Sequence, residues 1–170
     1  YQIRPSWSGY LLNSEGTHIL AISSLSGEGY TGKQQELFGV AIGEEKPVQL
    51  TDFHSIYPYT LIYNLNYGGE RWSPDNHWVL IELITSDTNE FDLNSDPIHL
   101  FLIDLQKNIA YKICEQLTGK NHRVVWSPDS NQFALSIEDK IWIVDPKTLE
   151  SHLLIERPGI PLDVLGWTSQ

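Results

Sequence analysis

Residues 27–32 are the first segment whose residue types and spacing could do chemistry. They have the letters Gly-x-Gly-x-x-Gly, which in dinucleotide-binding proteins let the backbone approach a pyrophosphate. That role needs a strand before the loop and a helix after it, because the helix amino terminus holds the phosphates. Residues 36–42 instead have the apolar composition of a strand. We therefore predict a flexible hairpin loop and no nucleotide cofactor.

An acidic segment at residues 87–96 is the second candidate, because it is rich in oxygen ligands. Asp92, Asn94 and Asp96 match the opening of a calcium-binding loop. Pro97 and Ile103, however, stand where an EF-hand requires Gly and Glu. The pattern favours a solvated acidic loop, and the sequence leaves open whether residues 86–97 bind a divalent cation weakly.

Histidine, cysteine and serine patterns give no catalytic constellation. The histidines have no His-x-x-His or His-Glu-x-x-His spacing, and no Gly-x-Ser-x-Gly nucleophile elbow occurs. Cys114 is the only cysteine, which excludes an intrachain disulfide and a cysteine metal cage, and its apolar neighbours predict a buried thiol in a strand. We predict no catalytic residue, no metal ligand and no cofactor, and hence a protein that is not an enzyme.

Charge and hydropathy exclude two classes of partner. The chain has 22 acidic and 11 basic residues, a formal net charge of −11. This field repels nucleic acid and anionic membrane surfaces. No apolar run approaches the roughly 20 residues that span a bilayer, so membrane insertion is not expected. Six Trp and eight Tyr favour packed β-sheets.

The elements that would position functional residues are predicted by an internal repeat. Trp-Ser-Pro-Asp occurs at residues 72–75 and 126–129, and an apolar run follows each copy, at 78–84 and 133–137. A third Trp-Ser pair stands at residues 7–8. Pro and the short polar side chains favour a tight turn before each run. The pattern predicts repeated strand-turn-strand units.

Regular spacing supports the repeat. Asp104 and Asp145 end later apolar runs, and each lies 22 residues before the next Trp, Trp126 and Trp167 (126 − 104 and 167 − 145). The Trp spacings themselves are 54 and 41 residues, so the difference of 13 lies upstream of the Asp. We assign it to a loop insertion within residues 85–97, since repeat arrays accept insertions in loops.

Each unit is predicted to be a four-stranded antiparallel blade, and the fold class to be all-β. We place blades at about residues 1–52, 69–118 and 122–156, with a fourth beginning at about 162. The apolar runs are continuous, which predicts sheets covered on both faces, as in blades stacked around an axis.

Three finer expectations follow from this assignment. The second and fourth blades are predicted to begin with strands at 69–73 and 163–168. Trp72 and Trp126 are expected to pack between neighbouring blades.

The recurring Trp-Ser-Pro-Asp turn resembles the repeat of TolB-like β-propellers, which are related to WD-repeat blades. The resemblance spans nearly the whole chain. It is interrupted in the first copy by residues 9–12 and altered in the last, at residues 167–170. Asn76 and Ser130 follow the Asp where the family usually has Gly. The resemblance implies a propeller and a periplasmic or extracytoplasmic location, which the residues themselves do not specify.

The segment 53–67 is the best candidate for recognition, because it lengthens the connection between the first two blades and is rich in tyrosine. Tyrosine rings bury area while their hydroxyls stay hydrated, which suits partner binding. The alternative is that the segment folds back on its own blade or adds a strand. The predicted partner-binding residues are Tyr57, Tyr59, Tyr63 and Tyr67.

Three functions remain compatible with the sequence. The leading one, which the resemblance implies, is a non-catalytic scaffold that binds a protein or peptide. The second is a gating propeller of a prolyl-oligopeptidase-like or tricorn-like protease, whose hydrolase part lies outside this chain. The third is a small-molecule site in the axial channel. Three blades leave an open arc, so we expect a longer chain or a homodimer to complete the ring.

Overall fold

The strands of the chain follow one another in short antiparallel hairpins. The computed structural model describes residues 6–27, 30–44, 46–63, 71–88, 90–92, 95–117 and 122–168. Within these ranges the regular structure consists of β-strands and a single 3₁₀ turn at Phe53–Ser55. The strands are β1 Ser6–Leu12, β2 His18–Gly27, β3 Tyr30–Ala41, β4 Val48–Gln49, β5 Tyr59–Tyr63, β6 Trp78–Ser86, β7 Ile98–Asp104, β8 Ile109–Leu117, β9 His122–Trp126, β10 Phe133–Ile137, β11 Lys140–Val144 and β12 Ser151–Glu156.

The strands form three groups of four in chain order, here named units 1, 2 and 3. Unit 1 contains β1 to β4, unit 2 contains β5 to β8, and unit 3 contains β9 to β12; neighbouring strands within each unit pair antiparallel. A single parallel pair, Gln34 with Thr60, joins the edges of units 1 and 2. The all-β prediction is confirmed, and the insertion lies between β6 and β7, as the spacing predicts.

The Ser-Pro-Asp turns owe their geometry to their own side chains. In each, the serine Oγ donates to the aspartate Oδ1, at 2.5 Å from Ser73 to Asp75 and 2.7 Å from Ser127 to Asp129. The same Oγ accepts the backbone N–H five residues later, at 2.9 Å and 3.0 Å. Hydrogen bonds from Ser127 and then from Asn131 lower the pKa of Asp129 to about 2. The repeat is thus a self-contained hairpin connection.

The residue after each aspartate adopts a left-handed backbone conformation. Asn76 has φ 57° and Ser130 has φ 60°, so both occupy the region that Gly adopts without strain. This explains why Gly is common at the position, and why Asn is the better of the two replacements found here.

Asn76 provides a direct test of this turn. We expect Asn76→Gly to be more stable than Asn76→Ala by about 1 kcal/mol, because alanine places a Cβ in the left-handed region. Urea unfolding of both variants measures the difference. Ser14, whose φ is not positive, is the control, and there Gly should be no better than Ala. Equal stabilities of the two Asn76 variants would contradict the assignment.

In unit 1 the equivalent turn lies beyond residues 9–12, which interrupt the motif. Trp7 itself lies within β1, paired with Ser23. The turn instead begins at Asn13, whose Oδ1 accepts the backbone N–H groups of Thr17 at 2.8 Å and His18 at 2.9 Å. One asparagine therefore replaces both the Ser and the Asp, which is why the letters of the motif are absent.

The three turns lie side by side along one edge of the units. Ser14 Oγ of unit 1 donates to Asn76 Oδ1 of unit 2 at 3.3 Å. The backbone N–H of Asp75 in unit 2 donates to Ser130 Oγ of unit 3 at 2.9 Å. Consecutive units are therefore hydrogen-bonded to each other through the repeated motif.

Asp104 and Asp145, from which the repeat spacing was measured, stabilise the turns between the third and fourth strands of units 2 and 3. Oδ1 of Asp104 accepts the backbone N–H groups two and three residues later, both at 3.0 Å, and Asp145 does the same at 2.7 Å and 3.1 Å. Burial raises the pKa of Asp104, but hydrogen bonds from Lys107 and His77 outweigh it and hold that pKa below its ordinary value.

The core lies between the units, and unit 2 is covered on both faces. Every residue of β6 and β7 is buried. Val79, Ile81 and Ile103 join the cluster shared with unit 1, whereas Leu80 and Leu102, on the other face, join the cluster shared with unit 3. This confirms that the continuous apolar runs indicate sheets with two covered faces.

Each repeated tryptophan packs between its own unit and the preceding one. Trp72 lies against the cluster of units 1 and 2, and Trp126 belongs to the cluster of units 2 and 3. Trp167 packs on the outer face of unit 3, and its indole N–H donates to the carbonyl of Val125 at 3.0 Å. The prediction for Trp72 and Trp126 is confirmed.

Two predicted strands differ from those found. No strand forms at 163–168; the segment instead packs on unit 3 through the side chains of Val164 and Trp167. The first strand of unit 2 is β5, at Tyr59–Tyr63, and of the predicted strand 69–73 only a bridge from Trp72 to Val79 is found in the described part. One edge of β6 is thus paired by two segments, β5 along residues 82–86 and Trp72 at Val79.

Candidate functional site

An open cleft lies between the connection that leaves unit 1 and the turn between β7 and β8. Its volume is about 660 Å³, and it is lined by residues 49–56, Phe101 and residues 108–110. Leu50, Phe53 and Phe101 are buried beneath it. Ile56 and Ile109 are 67% and 44% exposed at its rim. The cleft therefore combines an apolar floor with an apolar rim, as ligand sites commonly do.

The cleft wall is held in place by backbone hydrogen bonds and aromatic packing. The N–H of Leu50 donates to the carbonyl of Leu37 in β3 at 2.8 Å, which continues the pairing of β4 beyond its two residues. The 3₁₀ turn then reverses the chain, with the N–H of Tyr57 bonded to the carbonyl of Phe53 at 2.8 Å. The Phe53 ring contacts Phe101 of unit 2, with centroids 4.8 Å apart.

A buried glutamate lies behind this wall. Glu36 of β3 has no exposed surface, and its Oε2 accepts the hydroxyl of Thr51 at 2.5 Å. Its Oε1 accepts the backbone N–H of His54 at 2.8 Å and lies 3.0 Å from His54 Nδ1. The same Nδ1 is also 3.0 Å from Oδ1 of Asp52. Two carboxylates therefore converge on one imidazole nitrogen.

Sequence reasoning missed this cluster. It predicted no metal ligands from the histidine spacings, yet the fold brings the ligand atoms of Glu36, Asp52 and His54 within 4.8 Å of one another. Glu36 lies 18 residues before His54 and on a different element. The only signal in the sequence was the position of Glu36, a charged residue directly beside the apolar residues of a predicted strand.

A second buried carboxylate links units 2 and 3. Glu82 of β6 has no exposed surface and forms ion pairs with Arg71 and with Nε2 of His122, the latter at 2.9 Å. Burial raises the pKa of Glu82, but the hydrogen bond from His122 and the charge of Arg71 outweigh it, so that the pKa lies below its ordinary value. This cluster stabilises the contact between the units.

The predicted tyrosines do not share one surface. Tyr57 stacks on His99, with ring centroids 5.6 Å apart, beside the cluster of units 1 and 2. Tyr59 and Tyr63 lie in β5, and Tyr63 packs towards unit 3. All three remain partly exposed. Tyr67 lies outside the described residues. Of the alternatives for this segment, the added strand is found at residues 59–63.

The glycine-rich segment spans the junction of β2 and β3, and the acidic segment lies in the connection between β6 and β7. β2 ends at Gly27 and β3 begins at Tyr30, so a strand follows the glycines, as the hairpin prediction requires. In the acidic loop, Ser95 Oγ and Asp96 are engaged with Asp92, by hydrogen bonds of 2.8 Å and 2.7 Å. Asn94 and the side chain of Cys114 lie outside the described residues.

The described ranges contain no helix long and apolar enough to cross a membrane.

Comparison with known proteins identifies the fold. No protein-family model matches the sequence, and no curated protein is similar to it. Among solved structures, dipeptidyl peptidase 4 of Porphyromonas gingivalis matches over 87% of this chain and 32% of its own, with a TM-score of 0.50 at 13% identity. At that identity the match shows the fold alone, and the fold is an all-β propeller.

Two further structures match less closely in shape. A protein described as TolB from Agrobacterium tumefaciens matches over 86% of this chain and 45% of its own, with a TM-score of 0.45 at 12% identity. A prolyl endopeptidase matches over 91% and 22%, with a TM-score of 0.49 at 12% identity. This chain thus spans less than half the length of each. The propeller fold that the repeat implies is supported by the match to dipeptidyl peptidase 4.

Proposed function

We propose that this propeller segment is a non-catalytic binding module that holds a peptide segment of a partner protein in the cleft between units 1 and 2. The observation that supports this function is the exposed apolar rim over an apolar floor. Ile56 and Ile109 both line the cleft and remain 67% and 44% exposed. Large aliphatic side chains kept in water at the mouth of a cleft are typical of recognition surfaces.

The chemistry of the cleft selects the kind of peptide. Its volume of about 660 Å³ accommodates a few side chains. The floor formed by Leu50, Phe53 and Phe101 favours an aliphatic or aromatic anchor. The net charge of −11 favours a basic partner and accelerates its association. A segment that combines one bulky apolar residue with flanking Lys or Arg fits both requirements.

Tyrosines next to the cleft extend this surface in the proposal. Tyr57 follows Ile56 directly, and its hydroxyl is 3.4 Å from Nζ of Lys112. A half-buried, positioned tyrosine offers contact area at a small entropic cost. Tyr59, Tyr63 and Tyr67 remain predicted partner-binding residues, and of these Tyr63 packs on the cluster shared with unit 3, away from the cleft.

Peptide display tests this function. We select peptides of about ten residues on the wild-type protein and measure the affinity of the enriched ones by fluorescence anisotropy. Ile109→Asp is expected to weaken binding at least about tenfold, because a charge placed against the apolar anchor of the peptide costs about 2 kcal/mol, as at a hot spot. Leu154→Asp, on the exposed outer strand of unit 3, is the matched control and should leave the affinity unchanged.

The peptide selection and the two variants together distinguish binding in the cleft from binding elsewhere. Enriched peptides that carry an apolar anchor with basic residues, and that depend on Ile109 but not Leu154, support the proposal. Failure to enrich any peptide, or equal binding to both variants, contradicts it.

The alternative is a propeller that gates a hydrolase domain, and the similarity to the peptidase of P. gingivalis is what favours it. In that case a Gly-x-Ser-x-Gly hydrolase region would be encoded in the same polypeptide. Peptides would then be cleaved by the full-length protein, and Ile109→Asp would change the selection of substrate size more than the affinity for a peptide.

A further inference from the structure

We propose that Glu36, Asp52 and His54 form a binding site for one divalent transition-metal ion at the wall of the cleft. The inference goes beyond peptide binding and does not depend on it. It starts from three potential ligand atoms, from β3 and from the connection that leaves unit 1, that lie within 4.8 Å of one another.

Two of the three distances between these atoms match the edges of a coordination polyhedron. His54 Nδ1 lies 3.0 Å from Glu36 Oε1 and 3.0 Å from Asp52 Oδ1. An octahedron with metal–ligand distances of about 2.1 Å has edges of about 3.0 Å, and a tetrahedron of similar size has edges of about 3.4 Å. Small movements of the exposed Asp52 therefore suffice to place an ion among the three atoms.

The buried ligand is already oriented. Thr51 accepts the backbone N–H of Leu37 at 2.9 Å and donates to Glu36 Oε2 at 2.5 Å. This fixes the carboxylate so that Oε1 points towards His54. Outer hydrogen bonds of this kind position the ligands of metal sites and raise their affinity.

The charges of the cluster favour a cation. In the described part of the chain, the ion-pair partner of each carboxylate is His54, with no lysine or arginine. One imidazole N–H therefore serves two carboxylates, which repel each other at this separation. An ion of charge +2 would replace that proton and neutralise both carboxylates.

The donor set and the exposure select the class of ion. One imidazole nitrogen with two carboxylate oxygens suits Zn²⁺ or Mn²⁺, whereas Mg²⁺ and Ca²⁺ prefer oxygen ligands alone. Glu36 is buried, but the side chains of His54 and Asp52 are 26% and 66% exposed. Both line the cleft, so the ion would keep open positions for water or for a ligand.

Isothermal titration calorimetry of the EDTA-treated full chain with Zn²⁺ tests the site in the absence of any peptide. We expect saturation at one ion per chain, because the three ligand atoms lie close enough to share a single ion. Asp52→Asn and His54→Gln should each weaken Zn²⁺ binding at least about tenfold. Mn²⁺ should bind more weakly than Zn²⁺, and Mg²⁺ more weakly than both.

Two control variants exclude other cation sites. Asp96→Asn alters the acidic loop, and His152→Gln alters an exposed histidine of unit 3; both should retain the wild-type affinity. Thermal unfolding in EDTA verifies that each variant is folded. Absence of saturable Zn²⁺ binding, retention of binding in both cluster variants, or loss of binding with Asp96→Asn would overturn the proposal. Failure of peptide binding would leave this result unaffected.

Discussion

Replacing Trp126 with alanine is expected to lower the free energy of unfolding by about 3–5 kcal/mol, the usual range for deleting a buried aromatic side chain. Trp126 is 5% exposed and packs on Phe133 with centroids 5.0 Å apart, within the cluster shared by units 2 and 3. Its removal therefore leaves a cavity between two sheets that cannot easily collapse. Urea unfolding followed by circular dichroism measures the change.

Two comparisons make this result specific. Trp72→Ala removes the equivalent side chain of unit 2, which is only partly buried, so we expect a smaller loss of about 1–3 kcal/mol. Tyr10→Ala, at a position that is 73% exposed, should change stability by less than about 0.5 kcal/mol. A loss below about 1 kcal/mol for Trp126→Ala would mean that the units do not pack through their tryptophans.

Glu82→Gln is expected to destabilise the protein by about 3–5 kcal/mol at pH 7, because it removes one partner of a buried ion pair. The substitution keeps the shape of the side chain but leaves Arg71, whose side chain is 13% exposed, without its carboxylate. It also replaces the charged acceptor of His122, whose Nε2 is 2.9 Å from Glu82, with a neutral amide oxygen. Chemical unfolding at pH 7 gives the magnitude.

The pH dependence of the same pair identifies the cause. The pKa of Glu82 is lowered from its ordinary value of 4.5 in the folded protein. The folded state therefore holds the carboxylate charged more strongly than the unfolded state does, and this stabilisation is complete above pH 4.5. It is lost as the pH falls through the lower, folded pKa. The difference between wild type and Glu82→Gln should consequently narrow below pH 4.5.

An exposed ion pair provides the control for this effect. Glu156 pairs with Lys140 at 3.2 Å, and both side chains are about two-fifths exposed. Glu156→Gln should cost less than about 1 kcal/mol, since solvent screens such pairs. Equal losses for Glu82→Gln and Glu156→Gln, or a difference that persists unchanged at acid pH, would show that burial of the pair is not the cause.

The sequence predicted those parts of the fold that a repeat encodes. The Ser-Pro-Asp turns, the turn aspartates Asp104 and Asp145, and the insertion between β6 and β7 follow from letters that recur at fixed spacing. The turns are local structures whose side chains bond to the backbone nearby, so a short motif is sufficient to specify them. The insertion follows from the unequal spacing of the repeats.

Two kinds of feature could not be predicted in this way: turns formed by residue types other than those of the motif, and contacts between residues far apart in the sequence. Asn13 forms the turn of unit 1 with one side chain in place of two, so no motif remains to be found. An added strand within residues 53–67 was one of the alternatives, but nothing local assigns Tyr59–Tyr63 to the edge of β6, with which it pairs. Glu36 and Glu82 find their partners only once strands from separate parts of the chain are adjacent.

The burial of β6 and β7 along their whole length has a consequence for how the chain comes apart. A sheet with two covered faces has no side that water can wet at low cost. If unit 1 or unit 3 detached, the apolar residues on one face of unit 2 would be exposed to solvent at once, and the middle sheet would lose much of what keeps it folded. Its neighbours in turn each pack a face against it. The three units are therefore coupled in their stability. Unfolding of unit 1 or unit 3 destabilises unit 2, so no unit is expected to unfold independently of its neighbour.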